Sequence, residues 1–191
     1  CQYMTSNLFF AHIRGVKPFN ENSFIHELNC HPFRYGKYIM QHNGFISKYK
    51  KIKPAILSIL NKNAIEVIQG NVDSEDIFAL FINNFEKDEL EKDLPLDKIC
   101  EYLMKAIKTI ITLNNNASSS FNIAISDGQK ILCIRYINSE EEQPPSLYYQ
   151  KNDDNIIICS EPIKYNDDNW DLIPKNYALF IENSKCLLKK I

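Results

Sequence analysis

The chain has 191 residues, 45% of them apolar and 24% charged, with a formal net charge of −2. That is enough chain for a sizeable core, and the near-neutral balance gives no electrostatic reason for nucleic acid or an anionic membrane as the main partner. No apolar run approaches the roughly 20 residues that a membrane-spanning helix needs.

Taken in order, Asn7–Ile13 is a short, almost continuously apolar run that predicts a strand buried on both faces. It ends in Arg14-Gly15, where the arginine either reaches solvent or meets an anion. Lys17 to Leu28 reads as a loop. Asn29-Cys30-His31-Pro32-Phe33 leads into Tyr38 to Ile46, which predicts a hairpin turned by Asn43-Gly44, since both residues tolerate positive φ. A turn alone would account for that pair, but it does not need Asn29, His31 and His42 beside it. The Gly44 N–H and the Asn43 amide, aimed at one point, can also form an oxyanion hole for acyl transfer.

Ser47 to Leu60 predicts a helix with Pro54 in its first turn. Lys48, Lys50, Lys51 and Lys53 give it a basic, solvated face. A second helix opens at Gly70-Asn71-Val72-Asp73 and runs to about Phe85, with Asp73 as N-cap and Asp76 three positions on. Glu86 to Asp93 is a charged linker. Pro95 starts a third helix with Ile99, Cys100, Leu103, Ile107, Ile110 and Ile111 on one stripe.

From Phe121 the period becomes that of strands. Phe121–Ser126 and Ile131–Ile137 flank the turn Asp127-Gly128, residues 139–146 are an exposed excursion, and 147–150 pairs with 156–160. Tyr177–Ile181 and Lys185–Leu188 close the pattern. The expected fold class is α+β, with helices covering antiparallel sheets in a single domain over residues 1–191. The five glycines include neither a G-x-G-x-x-G nor a Walker A pattern, which excludes those forms of nucleotide binding. The six cysteines are scattered without a C-x-x-C pair, so neither structural zinc nor a disulfide framework is indicated. They read as reduced thiols of a cytoplasmic protein.

His12-Ile13-Arg14, Asn29-Cys30-His31-Pro32-Phe33, His42-Asn43-Gly44 and Gly70-Asn71-Val72-Asp73-Ser74-Glu75 follow one another in an order that resembles the class II glutamine amidotransferases, enzymes of the N-terminal-nucleophile fold. The likeness is greatest to the subgroup linked to glutathione and γ-glutamyl metabolism. Phe121–Gly128, Arg135-Tyr136, Ser160-Glu161-Pro162 and Trp170 extend it over nearly the whole chain. The resemblance implies an αββα sandwich of antiparallel sheets and a set of roles. Arg14 would clamp a substrate α-carboxylate, Asp73 the α-ammonium, and His31 would shape the pocket wall. Asn43 and Gly44 would be the oxyanion hole. The substrate class would be a small γ-glutamyl amide, cleaved through a cysteine thioester, with no metal or organic cofactor and with a partner subunit as one option.

Three departures from that family pattern matter. Lys17 stands where a small hydroxyl residue is usual, and Val72 where threonine is usual. The family's nucleophile is an N-terminal cysteine on a first strand well upstream of the His-x-Arg motif, whereas Cys1 lies only eleven residues before His12. Two readings follow: Cys1 is an ordinary cysteine of a chain whose first strands are absent, or it is the nucleophile on a shortened scaffold. The close spacing and the scarcity of glycine favour the first. The rival to an amidohydrolase (a hydrolase or transferase) is a non-catalytic γ-glutamyl-binding or scaffold subunit that keeps the fold without the nucleophile.

Overall fold

Strand-period sequence before Ser47 and after Asn116, with helix-period sequence between, produces an antiparallel sheet whose strands come from both sides of the helical segment, with Ser120–Ser126 and Ile131–Ile137 at its centre. The computed structural model describes residues 5–13, 26–153, 155–162 and 169–191. A six-stranded sheet takes β1 (Phe33–Tyr35), β2 (Tyr38–Phe45), β3 (Ser120–Ser126), β4 (Ile131–Ile137), β8 (Tyr177–Glu182) and β9 (Lys185–Lys190), in that order across the sheet. A three-stranded sheet is formed by β5 (Tyr148–Lys151), flanked by β6 (Ile156–Cys159) and β7 (Asp171–Leu172). The expected α+β arrangement of helices over antiparallel sheets is the one observed.

Side chains alternate across the large sheet. Tyr38 and Met40, with Phe121, Ile123, Ile125, Leu132 and Ile134, form one buried face. Against it pack α1 (Tyr49–Ile59), α3 (Asp73–Ile82) and α4 (Leu96–Leu113). The short α2 (Lys62–Ile65), not foreseen from the sequence, lies beside α3. It is capped by Asn61, whose side chain accepts from the Ala64 N–H. The opposite face of the sheet places Ala124, Cys133, Leu179 and Ile181 against Leu147 and Ile173, with Tyr149, Ile156 and Ile158 of the small sheet around them. This second cluster joins the two sheets. Among the described residues no helix is long and apolar enough to cross a membrane.

Several expectations need correction. Asn43-Gly44 does not turn the chain: both lie within β2, paired with Asn122 and Phe121 of β3. The turn into β2 is Gly36-Lys37, with Gly36 at φ 55, the positive value that the first position of a type II′ hairpin turn requires. Asn7–Ile13 forms no strand. It lies over the sheet, lining a cavity with Gln41, Ala124, Ile131 and Cys133, and leaves Phe9 59% and Ile13 97% exposed. An apolar run becomes a strand only beside a free ladder edge, and this one covers a sheet face instead.

Pro54 falls inside α1, since the helix begins at Tyr49. Asp73 is the first residue of α3 and Val72 its N-cap. The side chain that reaches back is Glu75, not Asp76. The helix ends at Ile82, three residues short of the expected end at Phe85. The lysine cluster is not all solvated either, because Lys53 turns inward to donate to the Tyr49 hydroxyl at 3.0 Å and sits 3.7 Å from Asp76.

Candidate active site

The site is built where β2 passes the N-terminus of α3. The first N–H groups of a helix have no partner in the preceding turn, and here a buried carboxylate supplies one. Glu75, 1% exposed, accepts from the main-chain N–H of Gln69 at 2.9 Å, Gly70 at 2.7 Å and Val72 at 3.4 Å. Asn29 Oδ1 accepts from the Asn71 N–H at 3.0 Å, tying the loop to the residue that leads into His31. A Cβ on Gly70 would overlap Asn29 Oδ1 and lie 2.7 Å from Glu75 Oε2, so only glycine lets both acceptors close on the loop. The result is a rigid entry to α3 with Asp73 half-buried at its tip, where the helix dipole favours a carboxylate.

His42 ties that tip to β2. The ring is buried, with Nδ1 3.0 Å from Ser74 Oγ and Nε2 3.5 Å from the Ser120 carbonyl. Burial lowers its affinity for a proton. The charge of Asp73 and the Ser120 carbonyl act the other way, and His12 adds to the lowering. In the neutral ring the carbonyl selects the Nε2–H tautomer, which leaves Nδ1 to accept the Ser74 hydroxyl. The Ser74 proton is thereby drawn away from Asp73 Oδ1, 3.4 Å from the same hydroxyl, and the carboxylate stays available to another donor.

Beside this lies an aromatic wall. The His12 and His31 rings lie 4.2 Å apart between centroids, tilted by 33°, and His31 meets Phe33 edge-on at 4.6 Å. The segment that was expected to be a strand thus reaches the site through His12. Cys1 and Arg14, with Lys17, lie outside the described residues.

Gly44 follows His42 by two residues. A Cβ there would overlap both the Ser120 carbonyl oxygen and His42 Nε2. Glycine is present because the neighbouring strand and the imidazole fill the space, not because a turn needs positive φ. The main-chain groups of Tyr38 and Met40 face β1, since a two-residue turn makes Tyr35 and Tyr38 a hydrogen-bonded pair. His42 and Gly44 continue that phase beyond Phe33, the last residue of β1 in the ladder, so they face an edge that no strand among the described residues pairs with. Asn43, between them, is exposed on the other face of the sheet, opposite Asn122 of β3. The structure therefore brings Gly44, His42, Ser74, Asp73, His12 and His31 to one end of the large sheet, with Asn43 on the same strand end.

Glu75, Ser74 and Asn122 were not assigned roles from the sequence. The signal for Glu75 was its position three residues after Val72, the spacing of a capping box, masked because the carboxylates at Asp73 and Asp76 offer the same pattern one residue later.

The architecture is similar to that of solved class II glutamine amidotransferases, of the N-terminal-nucleophile fold. The chain superposes with TM-score 0.71 on a glutamine aminotransferase class-II domain protein from Silicibacter pomeroyi, over 86% of this chain and 72% of that one at 22% identity. A predicted glutamine amidotransferase from Pseudomonas aeruginosa gives 0.57 over 85% and 66% at 19% identity. The glutamine phosphoribosylpyrophosphate amidotransferase of B. subtilis gives 0.54 over 80% and 29% at 10% identity. In sequence the chain is similar to the probable glutamine amidotransferase DUG3 of Saccharomyces cerevisiae, 29% identical over 218 residues. That alignment takes in 97% of this chain and 60% of the relative's length. No protein-family model matches the chain. The class that the motifs resemble and the class of these relatives are the same: the chain is glutamine-amidotransferase-like.

Proposed function

We propose that the chain forms the γ-glutamyl pocket of an amidohydrolase that cleaves glutamine or a γ-glutamyl peptide through a cysteine thioester. The observation that carries this reading is the series Asp73–Ser74–His42, with the His42 ring filling the space beside Gly44. It links an anionic helix tip to a strand edge left unpaired among the described residues. A γ-glutamyl substrate needs those two features a few ångströms apart, one for its α-ammonium and one for its amide oxygen. Asp73 takes the ammonium, its carboxylate left available by the commitment of Ser74 to His42. Arg14 takes the α-carboxylate as a bidentate donor. His31, packed against His12, shapes the wall beside the substrate.

The Gly44 N–H and the Asn43 amide receive the charge that builds on the carbonyl oxygen when a cysteine thiolate adds to the carbon. Collapse of the tetrahedral adduct breaks the C–N bond, and the amine leaves with a proton. Water then attacks the thioester carbonyl and breaks its C–S bond, releasing glutamate with a free γ-carboxylate and returning the cysteine as thiol, with a proton taken up by the base. The nucleophile is the N-terminal cysteine that the family resemblance implies, with its α-amine as base. Membership of the subgroup concerned with glutathione is part of the proposal and rests on the motifs.

The test is Asn43→Ala in the full natural polypeptide. Loss of one oxyanion donor should lower kcat for γ-glutamyl amide hydrolysis by about 10²–10³-fold; undiminished hydrolysis removes the oxyanion assignment. One observation favours a binding-only subunit. Val72, buried at the helix N-cap, brings no hydroxyl to the position where the family's threonine would supply one. An electrophilic glutamine analogue separates the two readings: covalent labelling of an N-terminal cysteine marks the enzyme, and reversible binding alone marks the subunit.

A further inference from the structure

Across the large sheet, Asn43, Asn122, Arg135 and Tyr177 form one row of directly paired residues on the face away from the helices. Two of them are buried: Asn122 is 4% and Arg135 6% exposed. Both grip the same stretch of main chain. Asn122 Nδ2 donates to the carbonyls of Pro145 and Ser146, each at 2.9 Å. Arg135 donates to Pro145 through Nε at 2.8 Å, to Pro144 through Nη2 at 3.0 Å and to Ile173 through Nη1 at 3.2 Å.

Two carbonyls facing one end of the Asn122 amide fix its orientation, because a flipped amide would set Oδ1 against both oxygens. Asn122 Oδ1 is then the end turned from those carbonyls. It is buried and has no hydrogen-bond partner among the described residues. A buried acceptor left unmet costs about 1–3 kcal/mol, so a fixed one calls for a donor that arrives in another state. The residue directly opposite on β2 is Asn43, whose side chain carries two N–H donors.

We propose that Asn122 is a positioning residue for the reaction: its Oδ1 accepts one Asn43 Nδ2–H and aims the other at the substrate oxyanion. This rests on the oxyanion reading of Asn43. Asn43 touches the reacting atoms; Asn122 acts only through it, and Arg135 holds the loop that orients Asn122.

The experiment is a double-mutant cycle of Asn43→Ala and Asn122→Ala in the full natural polypeptide, assayed as γ-glutamyl amide hydrolysis, with active sites counted by covalent labelling. Asn122→Ala alone should lower kcat per labelled site by about 10–100-fold, the scale of a catalytic group displaced by an ångström, with KM within about twofold. In the Asn43→Ala background the same change should cost nothing further. An equal cost in both backgrounds overturns the inference while leaving the oxyanion reading intact, and no loss from Asn43→Ala overturns that reading itself. Where Asn122→Ala does not fold, a structure of the wild-type γ-glutamyl adduct decides. Asn43 Nδ2 within about 3.2 Å of Asn122 Oδ1 supports the role, and an Asn122 Oδ1 still unpartnered in that adduct ends it.

Discussion

The two faces of the six-stranded sheet hold their polar groups by different means. On the helix face nearly every buried strand residue is apolar, and the exception, His42, is held from above by the first turn of α3 through Ser74. On the other face Asn122 and Arg135 are buried and are held by the carbonyls of Pro144, Pro145, Ser146 and Ile173. A helix N-terminus and a loop folded over a sheet are thus alternative supports for a polar strand residue. They flank one end of β2, where His42 points to the helix face, Asn43 to the other, opposite the loop-held Asn122, and Gly44 sits where no side chain fits. Three consecutive residues draw on both layers of the molecule, which is why the tripeptide looks like a turn in sequence and is not one.

Gly44→Ala strikes the helix-supported His42 and the β2–β3 pairing at once and carries the largest expected effect. The added methyl overlaps His42, which can swing, and the Ser120 carbonyl, which cannot move without shifting β3. Overpacking of this kind costs about 3 kcal/mol. For a chain of this size that is a fall in Tm of roughly 6–12 °C, measurable by thermal unfolding. A loss below about 1 kcal/mol would mean that β2 and β3 slide apart freely and that the site is softer than described.

Glu75→Gln tests the helix support alone. The carboxylate accepts three main-chain N–H groups, and hydrogen bonds to a charged group contribute about 1.5–3 kcal/mol each. Glutamine keeps one carbonyl oxygen for Gln69 and Gly70 but loses the charge and turns an NH2 toward the Val72 N–H, so we expect a loss of about 2 kcal/mol in urea unfolding. The KM for γ-glutamyl substrates should rise as Asp73 loses its fixed tip, with Asn43 and kcat per active site little changed. A fall in kcat at unchanged KM would show that the two supports are not separable.

Much of this could be read from the chain before folding, and the failures share a cause. The β3–β4 hairpin, α4 and the closing strands follow from local period and turn chemistry, which depend on neighbours in sequence. Asn7–Ile13, Asn43-Gly44 and Pro54 were misread because each answer depends on a distant partner. The first depends on whether a ladder edge is free, the second on what occupies the space beside Gly44, the third on where α1 starts. Asp73, Gly44 and His31 were legible as a group only through motif order. Glu75, Asn122 and Arg135 support the site from behind, and their roles follow from the carbonyls and N–H groups they meet, which no spacing encodes.

The smallest effect separates two titratable groups on the helix face. Asp76 is fully buried one residue after Glu75. Burial raises its pKa, against the Tyr49 hydroxyl at 2.8 Å and Lys53, which lower it; Glu75 and Asp73 add to the rise. A carboxyl whose pKa is higher folded than unfolded binds more protons in the native state. Its ionisation therefore weakens folding as pH climbs from about 3.9, the ordinary aspartate value, to the raised native value, with no further change above it. His42 has the opposite sense. Its native pKa is lowered, so its contribution is complete above the ordinary histidine value and is lost as pH falls toward the native one. Asp76→Asn, which keeps an acceptor for Tyr49, should remove the first dependence and leave the second. As pH rises from about 3.9, the stability of the variant should gain on that of the wild type until Asp76 is ionised in the native state, measured by urea unfolding at fixed ionic strength. A constant difference across that range would place Asp76 in contact with water and remove the buried carboxyl from beneath Tyr49.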